Sequence, residues 1–136
     1  MIVAGDPEAA QTPRVPPWFV IGCGFTGTVL VRALVGRGEA VTLTRRDAAT
    51  AEAQAQDLGA RGARAELADP ASLAALDIPE DAIVVCLAPP TGDPAGEIRA
   101  LIAAGGARLV YVSSTGVYGH CNGAVVDETW PVAPVT

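Results

Sequence analysis

The glycine-rich hexapeptide GCGFTG at residues 22–27 constrains the fold of this chain more than any other segment. It follows the apolar run Trp18–Ile21 and opens the apolar-periodic segment Phe25–Val35. A chain with 15 glycines produces such spacings by chance, so the strand before the motif and the helix after it carry the argument. Together they predict a strand–turn–helix unit.

The residues of this loop have distinct expected roles. Gly22 makes the tight turn, Gly24 lets the backbone approach a pyrophosphate, and Gly27 lets helix and strand pack closely. The first helical turn, with Phe25 and Thr26, presents free N–H groups and the positive end of the helix dipole to the phosphates. We therefore assign these five residues to cofactor binding. The alternative is a plain glycine-rich turn.

Strands alternate with helices along the rest of the chain. The predicted strands are 18–21, 40–44, 63–67, 82–87 and 108–113, and the predicted helices are 25–35, 48–58, one that starts at Asp69-Pro70, and 94–104. Five strands with four intervening helices indicate an α/β fold, a doubly wound parallel sheet with right-handed crossovers. Ligands on such a sheet bind at the carboxyl ends of the strands, so the loops after strands 1, 2, 4 and 5 should line one crevice.

The length of 136 residues is enough for one domain with a core but not for two. Residues 1–17 carry four prolines among small and polar residues, so we interpret them as a mobile leader before a single folded unit at 18–136. Hydrophobic residues make up 50% of the chain and aromatic residues only 4%. The core must therefore be built from Ala, Val, Leu and Ile, which suits a buried parallel sheet.

Charge and cysteine usage exclude several classes of function. The net charge of -6 argues against a nucleic-acid partner, which needs a basic surface. No apolar run reaches the roughly 18 residues of a membrane helix, so no membrane partner is expected. Cys23, Cys86 and Cys121 form no C-x-x-C pair, and we interpret them as free thiols of a cytoplasmic protein. His120 and Cys121 are adjacent and lack an evident third ligand, so we expect no metal site.

The end of the second strand bears on the choice of cofactor. An NAD-preferring sheet of this kind carries Asp or Glu there, bound to the ribose 2′-hydroxyl. This chain continues from Thr44 into Arg45 and Arg46 with no acid before them. Two guanidinium groups suit a 2′-phosphate, so we expect NADP, with NAD as the alternative. Otherwise both arginines are solvated residues at a helix start.

Two further loops fall at the same edge of the predicted sheet. Asp69, after the third strand, is placed to meet the adenine, although a helix N-cap is the simpler account. Ala88 and Pro89 end the fourth strand beside the expected path of the ribose and nicotinamide. The alternative for the second loop is a rigid turn made by its prolines.

The segment YVSSTGVYG at residues 111–119 follows the fifth strand. Together with the glycine loop it resembles the extended and atypical short-chain dehydrogenases/reductases, the NAD-dependent epimerase/dehydratase group. The resemblance covers about Trp18 to Pro131, and Asp127-Glu128-Thr129 is similar to the segment that leads toward the group's catalytic tyrosine. The glycine spacing departs from G-x-x-G-x-x-G and is closer to an atypical subgroup. The resemblance implies a Rossmann-like fold, a nicotinamide dinucleotide and a small-molecule substrate such as a nucleotide sugar.

The same resemblance implies a role for Ser114, the hydroxyl that binds the reacting oxygen of the substrate. A hydroxyl there can donate a hydrogen bond to an oxygen that gains charge as hydride moves. The alternative is that Ser114 satisfies backbone groups at the strand end. Sugar-nucleotide dehydratases carry an Asp-Glu pair at the positions of Thr115 and Gly116, so dehydration of that kind is not expected here.

The family's catalytic base is a tyrosine four residues before a lysine. All nine basic residues of this chain are arginine, so no such pair exists in it. At that offset Tyr118 has Asn122 and Tyr111 has Thr115. We therefore interpret the chain as the cofactor half of a family member, truncated after the fifth strand.

Three functions remain open. The chain is part of an NADP-dependent oxidoreductase or nucleotide-sugar epimerase, a non-catalytic dinucleotide-binding or regulatory module, or an inactive truncated product. The open sheet edge, where a sixth strand would pair, favours either a homodimer or aggregation.

Overall fold

The computed structural model describes residues 15–135 and contains five strands, four α-helices and one short 3₁₀ helix. The strands are β1 (Trp18–Ile21), β2 (Val41–Arg45), β3 (Arg61–Arg64), β4 (Ile83–Cys86) and β5 (Arg108–Tyr111). The helices are α1 (Phe25–Gly36), α2 (Ala48–Leu58), α3 (Pro70–Ala74) and α4 (Pro94–Ala104), and the 3₁₀ helix spans Thr115–Tyr118.

All five strands are parallel and lie in the order β3-β2-β1-β4-β5. The central strand is β1, in which Trp18 pairs with Val41 of β2 on one side and with Ile83 of β4 on the other. The predicted doubly wound α/β sheet is thereby confirmed. Because the strands are parallel, the loops that follow them share one edge of the sheet.

Two hydrophobic cores cover the two faces of the sheet. On one face, Val31 and Leu34 of α1 pack with Ala51 and Ala55 of α2 over Leu43 of β2. On the other face, Leu73 of α3 and Leu101 of α4 pack over the opposite side chains of β1 and β4. Those strand side chains are Phe19, Ile21, Val84 and Cys86. Alternate residues of a strand point to opposite faces, so the near-continuous apolar strands supply both cores.

Local signals set the boundaries of α2. Asp47 accepts a hydrogen bond from the Thr50 backbone N–H at 2.8 Å, which satisfies one of the free donors of the first turn. Gly59 ends the helix in a left-handed conformation with φ of 74°, which a glycine adopts without steric cost. The helix therefore spans the predicted residues.

The third strand begins two residues and ends three residues earlier than predicted, at Arg61–Arg64 instead of 63–67. Its partner β2 ends at Arg45, whose carbonyl accepts a hydrogen bond from the Ala65 N–H at 3.0 Å. Ala65 and Leu67 are nevertheless buried. The apolar pattern therefore indicated which residues are buried, and these extend beyond the residues that are hydrogen-bonded in the sheet.

The predicted leader at residues 1–17 falls largely outside the described residues, which begin at 15. Pro17 accepts a hydrogen bond from the Ile83 N–H at 2.9 Å and lies beside the start of β4. Among the described helices, none is long and apolar enough to cross a membrane.

Candidate functional site

The glycine loop joins β1 to α1 and is fastened to the end of β2. The Gly22 N–H donates to Thr44 Oγ1 at 3.1 Å, and the Cys23 N–H donates to the Thr44 carbonyl at 2.9 Å. Gly22 has φ of 78°, and a Cβ there would lie 2.7 Å from Ala88 Cβ. Only glycine fits both conditions. Gly22 therefore makes the tight turn, and Ala88 is the residue that it approaches.

Gly24 occupies the N-cap position of α1 and is exposed. No heavy atom lies within 4 Å of the position that a Cβ would take there. No side chain caps this helix end, and Phe25 and Thr26, the first two helical residues, are exposed. An uncapped helix N-terminus beside open space is the arrangement that binds a phosphate, so these residues fit the pyrophosphate of a dinucleotide.

Gly27 faces the protein interior. A Cβ there would lie 3.1 Å from Cys23 Sγ and 3.3 Å from Leu87 Cδ1, so close packing depends on its missing side chain. Cys23 is itself fully buried. Burial raises the pKa of its thiol, an effect that the Thr28 hydrogen bond and the Arg45 charge only partly offset. The helix terminus therefore does not activate this cysteine.

Two polar side chains, Arg45 and Gln54, surround the Cys23 carbonyl, an arrangement that the sequence analysis did not predict. Arg45 Nη1 donates to this oxygen at 2.7 Å, and Gln54 Nε2 donates to it at 3.2 Å. Gln54 Nε2 also lies 2.9 Å from Thr28 Oγ1. The available signal was that Gln54 interrupts the apolar stripe formed by Ala51, Ala55 and Leu58 on α2.

The two adjacent arginines have different surroundings. Arg45 is half-buried and bonded to the loop, whereas Arg46 is exposed at the start of the turn into α2. Within residues 15–135, no hydrogen bond or ion pair is found for the Arg46 side chain. Its guanidinium is therefore available to a ligand.

Asp69 lies at the N-cap position of α3, but its side chain does not cap the helix. Its carboxylate instead pairs with Arg64 Nη1 at 3.2 Å, and Arg64 Nη2 pairs with Glu66 at 3.2 Å. These side chains are about two-fifths exposed, so the pairs contribute little to stability. Asp69 therefore occupies the N-cap position, as the alternative interpretation expected, but its side chain makes no capping hydrogen bond.

The loop after β4 contains Ala88 and Pro89 and is tied to α4 by Glu97. This buried carboxylate accepts hydrogen bonds from the Thr91 N–H at 3.0 Å and from the Thr91 hydroxyl. A cavity of about 370 Å³ lies between this loop and the residues Leu67–Pro70 that follow β3. It stands at the carboxyl edge of the sheet, where ligands of such sheets bind.

A larger cavity of about 650 Å³ lies at the opposite edge of the sheet, between Glu39–Thr42 and Gly59–Gly62. The loops there precede the strands, and the glycine loop is not among its lining residues. Although this cavity is the larger of the two, it lies at the opposite end of the strands from the uncapped start of α1, so we do not assign the cofactor to it.

Ser114 is exposed at the start of the 3₁₀ helix, and its Oγ accepts a hydrogen bond from the Gly116 N–H at 3.2 Å. Ser114 therefore satisfies a backbone N–H group, as the alternative interpretation expected. Because its oxygen is the acceptor in this bond, its hydroxyl proton can still be donated to another acceptor. Ser114 shares the carboxyl edge of the sheet with the glycine loop, since β5 and β1 are separated by β4 alone. In the described part of the chain, no group of three His, Cys, Asp or Glu side chains could hold a metal ion.

A family model described as NAD(P)H-binding matches residues 22–132. No curated protein matches the chain. Among solved structures, a proposed epimerase from Burkholderia cenocepacia J2315 has 29% sequence identity and a TM-score of 0.64, with 89% of this chain and 45% of the other covered. A proposed betaketoacyl-ACP reductase has 25% identity and a TM-score of 0.63, with 76% and 56% covered.

The UDP-glucose 4-epimerase from Bifidobacterium longum, solved in complex with NAD+ and UDP, has a TM-score of 0.66. Its identity of 17%, over 86% of this chain and 42% of the other, shows the fold alone. The chain therefore spans less than half the length of both epimerases.

Proposed function

Because the chain belongs to the NAD(P)H-binding family, we propose that its glycine loop binds the pyrophosphate of NADP(H). The observation that carries the proposal is the open space above Gly24 at the uncapped start of α1. There the N–H groups of the first turn, from Phe25 and Thr26 onward, donate to phosphate oxygens. The chain is the dinucleotide-binding part of an epimerase or oxidoreductase-like protein.

The other site residues follow the expected path of the cofactor along the carboxyl edge of the sheet. Asp69 lies between Ala68 and Pro70, which line the cavity formed by the loops after β3 and β4, and meets the adenine end. Ala88 and Pro89, next to Gly22, border the ribose and nicotinamide end. The bound nicotinamide supplies hydride-transfer chemistry, and these residues orient it.

The preference for NADP over NAD rests on the charge at the end of β2. Arg45 and Arg46 bring two guanidinium groups to the position where an NAD-binding sheet carries an acid. A 2′-phosphate accepts paired, charge-assisted hydrogen bonds from such groups. NADPH should therefore bind more tightly than NADH.

Ser114 is proposed to donate a hydrogen bond to the reacting oxygen of a small-molecule substrate, with a nucleotide sugar as the first class to test. Its exposure and its free hydroxyl proton support this role. The chain contains no lysine and so no tyrosine–lysine base, which favours a second candidate, a module that binds the dinucleotide without turnover.

Two further properties are proposed. The described cysteines are free, and Cys23 and Cys86 are buried, which is in keeping with a reducing, cytoplasmic setting. The edge strand β5 carries Val110 half-exposed and is followed by the half-exposed Val112. This edge supports pairing with a second copy of the chain.

Fluorescence titration with NADPH and NADH tests the proposed cofactor directly. The wild-type chain should bind both and NADPH more tightly, and the double variant Arg45→Ala/Arg46→Ala should lose that preference. Equal affinities that the substitutions leave unchanged would remove the NADP assignment. If the wild-type chain bound neither NADPH nor NADH, the proposed function itself would be wrong.

A further inference from the structure

The backbone N–H and carbonyl groups of Gly22, Cys23 and Gly24, which precede the free N–H groups of the first helical turn, are all hydrogen-bonded. The Gly24 N–H donates to the Gly22 carbonyl at 2.9 Å, and the Gly24 carbonyl accepts from the Thr28 N–H and from Thr28 Oγ1. With the bonds from Gly22 and Cys23 to Thr44, this leaves the Cys23 carbonyl as the loop group that depends on side chains from two other elements.

That carbonyl receives the Arg45 guanidinium from the end of β2 and the Gln54 amide from the middle of α2. A peptide unit is planar and trans, so fixing the direction of the Cys23 carbonyl also fixes the plane that leads into Gly24. The two side chains thus determine how the Gly24 backbone faces the open space in front of α1.

Gln54 contacts the loop through the N–H groups of its side-chain amide. Its Nε2 contacts the Cys23 carbonyl and Thr28 Oγ1, and the Thr28 hydroxyl in turn donates to the Gly24 carbonyl at 2.8 Å. Its Oε1 is buried and has no partner in the described part of the chain. Burying an unpaired acceptor costs free energy, a cost that an apolar residue would avoid. We therefore attribute the presence of a glutamine here to the two contacts of its Nε2.

We propose that Arg45 and Gln54 are positioning residues, which set the loop for the pyrophosphate through the Cys23 carbonyl. This inference rests on the proposed function. NADH and NADPH share the pyrophosphate and differ in the 2′-phosphate. Loss of a positioning residue must therefore weaken both cofactors, whereas loss of a residue that contacts only the 2′-phosphate weakens NADPH alone.

The first experiment compares Arg45→Met, Arg46→Met and Arg37→Met by titration with both cofactors. Methionine keeps most of the aliphatic stem and removes the guanidinium. Arg45→Met should weaken NADH roughly tenfold, the size of one hydrogen bond from a charged group, and NADPH by at least as much. Arg46→Met should weaken NADPH more than NADH. Arg37, exposed at the far end of α1, is the matched control and should change neither.

An unchanged NADH affinity in Arg45→Met would overturn the inference while leaving the proposed function intact. If the wild-type chain bound neither cofactor, the proposed function would fail first. The two failures are thus distinguished by the wild-type titration.

The second experiment uses Gln54→Leu, with Gln56→Leu as the matched control because Gln56 is exposed on the same helix. Gln54→Leu should weaken NADH and speed alkylation of Cys23 by a maleimide, located by mass spectrometry. Cys86 is equally buried, on the other face of the sheet, and reports general loosening. Faster labelling of both cysteines together, or of neither, would contradict a role confined to the loop.

Discussion

At the scale of single residues, the three glycines of the loop have three different surroundings. Gly22 has positive φ and touches Ala88, Gly27 packs against Cys23, and Gly24 faces open space. The sequence motif predicted the tight turn at Gly22 and the close packing at Gly27 because the spacing of the motif reflects backbone geometry. The approach of a pyrophosphate to Gly24 stays a prediction. The motif could not predict Arg45 and Gln54 around the Cys23 carbonyl, since they come from other elements and no local pattern links them.

Gly22→Ala should lower the free energy of unfolding by about 2 kcal/mol or more, because a left-handed backbone and overpacking against Ala88 both oppose a Cβ. The check is denaturant unfolding. Gly36→Ala is the matched control: Gly36 ends α1 with no atom within 4 Å of a Cβ, so that variant should be as stable as wild type. Equal stability of the two variants would contradict the tight-turn assignment.

The buried thiols predict a loss of stability at alkaline pH. Burial raises the pKa of Cys23 and of Cys86, so the folded chain holds these protons when the unfolded chain has released them. The contribution is complete below the unfolded thiol pKa of about 8.5 and is lost as pH rises above it. Unfolding measured from neutral to alkaline pH should show this decline.

A double variant, Cys23→Ala/Cys86→Ala, should flatten that decline, whereas Cys121→Ala, at a less buried position, should leave most of it. A slope that the double variant does not change would show that other groups cause the loss.

At the scale of elements, capping and glycine signals were the reliable guides. α2 and α4 span the predicted residues because Asp47 and Asp93 begin them and glycines end them. β3 was misplaced because apolar residues remain buried after the strand leaves the sheet. The close approach of α2 to β3 at Gly62 also went unpredicted, since it depends on how the two elements cross.

That crossing makes a prediction for Gly62→Ala. A Cβ there would lie 2.5 Å from the Ala51 carbonyl oxygen in the α2 backbone, and helix and strand would have to separate. We expect a loss of about 1–3 kcal/mol in the free energy of unfolding. Gly92→Ala, in a loop position with open space around it, should be neutral in the same assay, and a neutral Gly62→Ala would show that the two elements are not so closely packed.

At the scale of the whole molecule, the alternation of apolar runs and helices was enough to predict a parallel sheet with helices on both faces. The order of the strands and the division of the core between α1–α2 and α3–α4 depend on long-range packing that a local pattern does not contain. The chain matches less than half of either epimerase to which it is similar.

This chain on its own should bind cofactor without turnover. In its proposed role of orienting a substrate oxygen, Ser114 cannot replace the tyrosine–lysine pair that the resemblance implies, whose acid–base contribution is about 10²–10⁴-fold. NADPH absorbance followed with nucleotide sugars and aldehydes should show no oxidation. Turnover that Ser114→Ala abolished would contradict this expectation, and Tyr118 would then be the first candidate for the acid.

The central claim, that the glycine loop binds a dinucleotide at Gly24, is tested most directly by NADPH titration of Gly24→Val. The fold has room for the side chain, since nothing lies within 4 Å of its Cβ and Gly24 has φ of -85°. The side chain would occupy the space of the pyrophosphate. We predict that Gly24→Val still folds, with a stability loss of about 1–2 kcal/mol because valine is a poor N-cap residue, and that it no longer binds NADPH. Gly36→Val, at the other end of the same helix, should keep its NADPH binding. Undiminished NADPH binding by a stable Gly24→Val variant would contradict the account.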